Sequence, residues 1–159
     1  MRDECEPHKN KEIDFMVKLI VGVKGTGKTK MLIDMANEAL KTSAGSVVCV
    51  EKGQKLKYDV KYKARLIDTS EYGICGADAL YGLICGLYAA NYDITHVFVD
   101  SALKICEENL DDFARFLKLA DNVSDKNKFQ CIITASVSPD RLPEEILEYT
   151  NRTWATSTT

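Results

Sequence analysis

The stretch Met16-Val17-Lys18-Leu19-Ile20-Val21-Gly22-Val23-Lys24-Gly25-Thr26-Gly27-Lys28-Thr29 decides the fold. Its last eight residues fit Gly-x4-Gly-Lys-Ser/Thr, the spacing of a glycine loop that cradles phosphate. Its first six are apolar apart from Lys18 and read as a buried strand leading into the loop. Lys30 to Leu40 then reads as a helix with Leu32, Ile33, Ala36, Ala39 and Leu40 on one face. Triphosphate oxygens need many donors at once, and backbone N–H groups supply them only where the chain can wrap closely around the anion. Gly22, Gly25 and Gly27 permit that approach. The helix beginning near Lys28 adds its free N–H groups and the positive end of its dipole. The nucleotide-binding set is therefore Gly22, Lys24, Gly25, Thr26, Gly27, Lys28 and Thr29. Lys28 is expected to reach the β- and γ-phosphates, and the Thr29 hydroxyl to ligate Mg²⁺. Lys24, at the third position of the loop, reads as a solvated residue.

Length and composition bound the rest. At 159 residues the chain is expected to fold as one domain over 16–150. Residues 1–15 read as a loose polar extension and 151–159 as a polar tail in which Trp154 is the one docking candidate. Hydrophobic content of 45% and charged content of 28% are those of an ordinary globular protein. A net charge of −3 argues against a surface built wholly for nucleic acid. No apolar run reaches the roughly 18 residues a membrane span needs, and the polar start is no signal peptide, so a cytoplasmic protein is expected. The apolar stretch Ala77–Ala90, with Gly82 and Gly86, reads as a buried helix packed closely against the sheet. Six cysteines (Cys5, Cys49, Cys75, Cys85, Cys106 and Cys131) show neither a C-x-x-C pair nor metal-ligand spacing. They read as free thiols acting as small hydrophobes.

Strands alternate with helices along the chain. Ser46–Glu51, Thr95–Asp100 and Phe129–Ser136 read as strands. The segments carrying Leu110 to Ala120 and Pro143 to Tyr149 read as helices. Such alternation implies an α/β fold of three α/β/α layers, with a mainly parallel sheet covered on both faces. In sheets of this kind ligands sit at the carboxyl ends of the strands, which directs attention to Glu51, Asp68, Asp100 and Thr134–Ser138.

Ile94-Thr95-His96-Val97-Phe98-Val99-Asp100 is a hydrophobic strand ending in an acid, and it resembles a Walker B motif. With the glycine loop it makes the chain resemble the P-loop NTPases, within the RecA-like division that places another strand between the loop strand and the Walker B strand. That resemblance implies ATP and Mg²⁺ as ligands, with Thr29 and Asp100 holding the metal. The alternative for the Asp100-Ser101 pair is a helix cap. MinD-like members are disfavoured, because their additional lysine stands where this chain has Val23. Many P-loop ATPases carry Glu directly after the Walker B Asp, and here that residue is Ser101.

RecA-like members place their catalytic Glu at the end of a neighbouring strand, which makes Glu51 the candidate base and, with Lys28, the candidate catalytic pair. The competing reading of Glu51 is a solvent-exposed strand end beside Lys52. Thr134 and Ser136 stand where the resemblance implies a sensor of the γ-phosphate, or are simply polar strand ends. Arg141 reads as part of a surface turn.

Between Lys52 and Arg65 six cations face the single acid Asp59. The segment is thus +5 and, with the chain at −3, the remainder is −8. Tyr58, Val60, Tyr62, Ala64 and Leu66 alternate with Lys57, Asp59, Lys61, Lys63 and Arg65 inside a hairpin-like region, as in a two-faced strand. An edge strand whose lysines block pairing is favoured over a nucleic-acid surface. The expected function is Mg²⁺-ATP binding with slow hydrolysis, as a switch or as a subunit working with a protein partner or with copies of itself. A small-molecule kinase is disfavoured by the scarcity of clustered arginines. A catalytically dead regulatory module is the third reading, and Ser101 favours it.

Overall fold

The apolar run after Met16 forms strand β1 (Val17–Gly22), and the glycine loop turns the chain into helix α1 (Lys28–Thr42). The remaining elements are β2 (Ser46–Glu51), β3 (Arg65–Asp68), α2 (Ala77–Ala90), β4 (Ile94–Val99), α3 (Ala102–Ile105), α4 (Leu110–Asn127), β5 (Gln130–Ser136) and α5 (Glu144–Leu147). The computed structural model describes residues 16–61 and 63–152. The expectations for residues 1–15, for Cys5 and for Trp154 therefore lie outside the described residues.

All five strands run parallel in the order β1-β5-β4-β2-β3. The fold is α/β, with the parallel sheet flanked by helices on both faces. Strand β5 lies between β1 and β4, as the P-loop, RecA-like arrangement requires.

Period-two alternation sorts the strand residues between two cores. Val17, Leu19, Val48, Val50, Val97, Val99, Cys131 and Ile133 point to the face covered by α2, α3, α4 and α5. Ile20, Val47, Cys49, Phe98 and Ile132 point to the other face, where Leu32, Ala36 and Ala39 of α1 meet them. Burial pushes the thiols of Cys49, Cys106 and Cys131 up to about 12, so these side chains act as apolar groups.

Two local expectations fail. The Lys52–Ile67 region is neither a hairpin nor a long strand. Its described residues 52–61 and 63–64 run mostly as bends and turns, and Arg65–Asp68 joins the sheet, parallel to β2. Leu56, Val60 and Ala64 are buried beside α1. They recur every four residues, and the Val60 N–H bonds the Leu56 carbonyl at 3.0 Å in a single helix-like turn. The alternating tyrosines misled because Tyr58 is 87% exposed. Helix α2, in turn, is not buried all round. Ala77, Leu80 and Ile84 form its inner stripe, while a Cβ at Gly82 or Gly86 would meet nothing within 4 Å. Its high apolar content hid an ordinary one-sided helix.

Residue 152 is fastened rather than loose. The Arg152 guanidinium donates to both Asp121 oxygens at 2.8 and 3.1 Å and lies over the Tyr149 ring. Among the described residues no helix is long and apolar enough to cross a membrane.

Candidate functional site: the glycine loop and the strand ends

The glycine loop is shaped by its own residues. Gly25 and Gly27 hold φ angles of +89° and +83°, a region that favours glycine. Gly22 is required for a different reason, since a Cβ there would stand 2.5 Å from the Thr26 hydroxyl oxygen. That hydroxyl donates to the Val23 carbonyl at 2.8 Å and closes the turn. Helix α1 starts directly after Gly27 with no side-chain cap and no acid in its first turn. Its amide donors and dipole are thus left for an external anion.

Lys28 folds back over the loop, donating to the Val23 carbonyl at 3.0 Å and to Thr26 Oγ1 at 3.4 Å. Burial holds its ammonium below the usual lysine range, and the nearby Asp100 carboxylate partly offsets this.

Strand register brings the second half of the site to the same edge. Asp100, 1% exposed, follows β4, and its N–H donates to the Val50 carbonyl of β2 at 2.9 Å. The Thr29 hydroxyl lies 3.3 and 3.4 Å from the two Asp100 oxygens. The Thr134 hydroxyl donates to Asp100 Oδ1 at 2.7 Å and accepts from the Ser101 N–H at 2.8 Å. One hydroxyl therefore orients the carboxylate and also holds Ser101 in a left-handed conformation (φ 57°). Ser101 begins α3 without a side-chain cap bond, so the pair does not act as a helix cap through its side chain. Ser136 ends β5 in register with Gly22, is exposed, and does not join the Asp100 cluster.

Glu51 sits at the end of β2, beside the position of Asp100. It is 3% exposed, against the reading of a solvated strand end. Its carboxylate accepts from the Lys55 N–H at 2.7 Å and the Leu56 N–H at 3.1 and 3.2 Å. Burial raises its pKa, with Asp100 and Asp68 adding to the rise and the backbone donors opposing it. Asp68 accepts from the N–H groups of Gly53 and Ser70, both at 2.9 Å, and those bonds hold its carboxyl below the usual range. Arg141 lies exposed in a short turn, as read from the sequence.

The donor set fits Mg²⁺. One carboxylate and one hydroxyl are hard oxygen ligands, and an ion of this kind completes its shell with phosphate oxygens and water. Among the described residues no group of three or more His, Cys, Asp or Glu side chains forms a metal cage.

A cleft of about 210 Å³ adjoins the loop, lined by Lys24, Lys55, Ser101, Leu103, Lys104, Glu108 and Ser136. Lys24 is exposed, as expected of a solvated loop residue. Lys55 was read only as part of the basic segment. Lys104 and Glu108 carried no sequence signal, because a tertiary turn after β4 brings them to the rim.

No protein-family model matches the sequence, and no curated protein does. Among solved structures the chain is similar to the flagellar accessory protein FlaH from Methanocaldococcus jannaschii. The TM-score is 0.56 at 19% sequence identity, over 86% of this chain and 67% of that one. At that identity the likeness concerns the fold. It agrees with the P-loop, RecA-like strand order described above.

Proposed function

We propose that the protein binds Mg²⁺-ATP at the glycine loop and hydrolyses it slowly, as a switch or as one subunit of a larger cytoplasmic assembly. The observation that carries this reading is the convergence of Thr29, Asp100 and Thr134 within hydrogen-bond reach at the mouth of an uncapped helix. The N–H groups of Gly25 to Thr29 would wrap the β- and γ-phosphates, with the Lys28 ammonium turning from the Val23 carbonyl to the phosphate oxygens. Thr29 and Asp100 would hold Mg²⁺, which neutralises charge on the phosphates. Thr134 would keep the Asp100 carboxylate in place.

Slow turnover follows from where the acids stand. The position after Asp100 is Ser101, which cannot act as a carboxylate base. Among the described residues Glu51 is the other buried acid, and its oxygens accept from the Lys55 and Leu56 N–H groups. At 3% exposed the carboxylate would have to be uncovered to reach an attacking water, so hydrolysis waits on a rearrangement of the chain after β2. A partner or a second copy that draws this segment away would speed the reaction.

Phosphate release under saturating Mg²⁺-ATP tests the assignment. Wild type should turn over slowly, and Glu51→Gln should lower the rate at least tenfold while retaining the nucleotide. Equal rates in the two proteins would remove Glu51 from the mechanism. Asp100→Asn should weaken binding in Mg²⁺ far more than in EDTA.

A further inference from the structure

We infer that the cleft beside the glycine loop is a second ligand site, built for a small phosphate monoester such as a phosphorylated polyol. Three lysines, Lys24, Lys55 and Lys104, face one carboxylate, Glu108, around a space of about 210 Å³. Among the described residues none of the three ammonium groups forms an ion pair. Like charges gathered without a partner repel one another and favour binding of an anion. Lysine ammoniums bind phosphate as point charges, and the Ser101 and Ser136 hydroxyls add hydrogen bonds. Leu103 offers an apolar wall to a short carbon body, and Glu108 can accept from a ligand hydroxyl.

Size narrows the class. Drug-sized and cofactor ligands occupy roughly 300–1,000 Å³, so this space suits a phosphate on a few carbons rather than a second nucleotide.

Backbone conformation fixes how the rim of the cleft is presented. Ser101 and Glu108, both lining the cleft, hold positive φ angles of 57° and 60°, and Glu107 beside it has 58°. Glu107 and Glu108 form the left-handed cap that ends α3, with the Glu107 N–H on the Lys104 carbonyl at 3.1 Å. The surrounding bonds enforce these conformations. Thr134 Oγ1 takes the Ser101 N–H at 2.8 Å, and the Leu103 carbonyl takes the Glu108 N–H at 2.9 Å. The cleft is lined by none of Gly25–Thr29, but it adjoins the phosphate cradle. It shares Lys24 with the nucleotide-binding set, Ser136 with the sensor candidates and Ser101 with the strand end at Asp100, so simultaneous occupancy with a nucleotide is what the test must show.

The inference rests on the nucleotide reading only for the identity of its neighbour, and the test separates the two. Glycerol 3-phosphate is titrated by calorimetry into the full chain, first alone and then after saturation with Mg²⁺-AMPPNP. Glycerol serves as the uncharged control. Binding in both states, with shifts of the Ser101 and Ser136 amide signals, is expected. Lys104→Glu should weaken it more than tenfold, and Lys118→Glu, on the exposed face of α4, by less than twofold. Circular dichroism confirms that the variants are folded.

Displacement of the ester by Mg²⁺-AMPPNP would overturn the inference, because the anion would then occupy the glycine loop. So would equal losses in the two charge reversals, or tight binding of a single-stranded oligonucleotide with none of the ester. Failure of AMPPNP itself to bind would overturn the nucleotide reading and leave the first titration to decide the cleft.

Discussion

The loops that follow β1 and β2 lie at the same edge of the sheet and solve the same problem in opposite ways. Each must satisfy backbone N–H groups in a tight turn. After β1 the chain supplies no acid, and helix α1 begins without a cap. After β2 the protein supplies its own anions. Glu51 takes the N–H groups of Lys55 and Leu56, and Asp68 takes that of Gly53. The first loop keeps one internal backbone bond, from the Thr26 N–H to the Val23 carbonyl at 3.3 Å, and supplies no carboxylate, whereas the other is closed by carboxylates from neighbouring strand ends. A glycine-rich turn beside a strand end is thus no phosphate site by itself; whether its donors are already taken decides the matter.

That contrast can be broken by substitution. Leu56→Ala should cost about 2–5 kcal/mol in urea unfolding, because Leu56 is fully buried and anchors the segment after β2 beneath α1. A loss below about 1 kcal/mol would mean that the segment packs loosely and that its turns are not fixed. Glu51→Ala should cost about 1–3 kcal/mol, since the buried Leu56 N–H then lacks an acceptor. Hydrogen exchange should quicken at residues 55 and 56 and stay unchanged in the glycine loop. Equal protection in both proteins would show that the carboxylate does not close the turn.

Gly27→Ala probes the open loop. The new methyl group meets nothing within 4 Å, so the cost is conformational alone, about 1–2 kcal/mol for a residue at φ +83°. The same change should lower nucleotide affinity well beyond that figure in calorimetry, because the amide donors turn away from the phosphates.

The smallest effect concerns pH. Glu51 has a folded-state pKa above its unfolded value, chiefly through burial, so its ionised form opposes folding. Its favourable contribution is full below the ordinary carboxylate range and is lost as pH rises through the raised value. The urea midpoint of wild type should therefore fall relative to that of Glu51→Gln from about pH 4.5 upward. A midpoint difference independent of pH would show that burial does not perturb this group.

How much of this was legible in the sequence depended on the range of the interactions. The glycine loop, α1 and the strand ending at Asp100 are set by local spacing and hydrophobic period, and they appear where those patterns put them. The strand-end rule for parallel sheets singled out Asp100, and its approach to Thr29 is what the Walker B resemblance implies. The hydrogen bond from Thr134 to Asp100 is not among the expectations, which made Thr134 a sensor of the γ-phosphate or a polar strand end. The segment from Lys52 to Ala64 was misread because its three anchors, Leu56, Val60 and Ala64, are sparse among lysines and tyrosines that alternate by accident. Besides those anchors it is held by the Glu51 carboxylate and by Asn37, which bonds the Asp59 carbonyl and the Lys61 N–H, partners that no local pattern announces. Lys104 and Glu108 escaped notice for a similar reason, since their approach to Lys24 and Lys55 depends on left-handed residues after β4.

Calorimetric titration of Mg²⁺-ATP into wild type and Lys28→Ala addresses the open loop directly. Binding to wild type should be micromolar and should weaken at least tenfold in the variant. Equal binding by the two proteins, or none by wild type at millimolar nucleotide, would contradict the Mg²⁺-ATP reading.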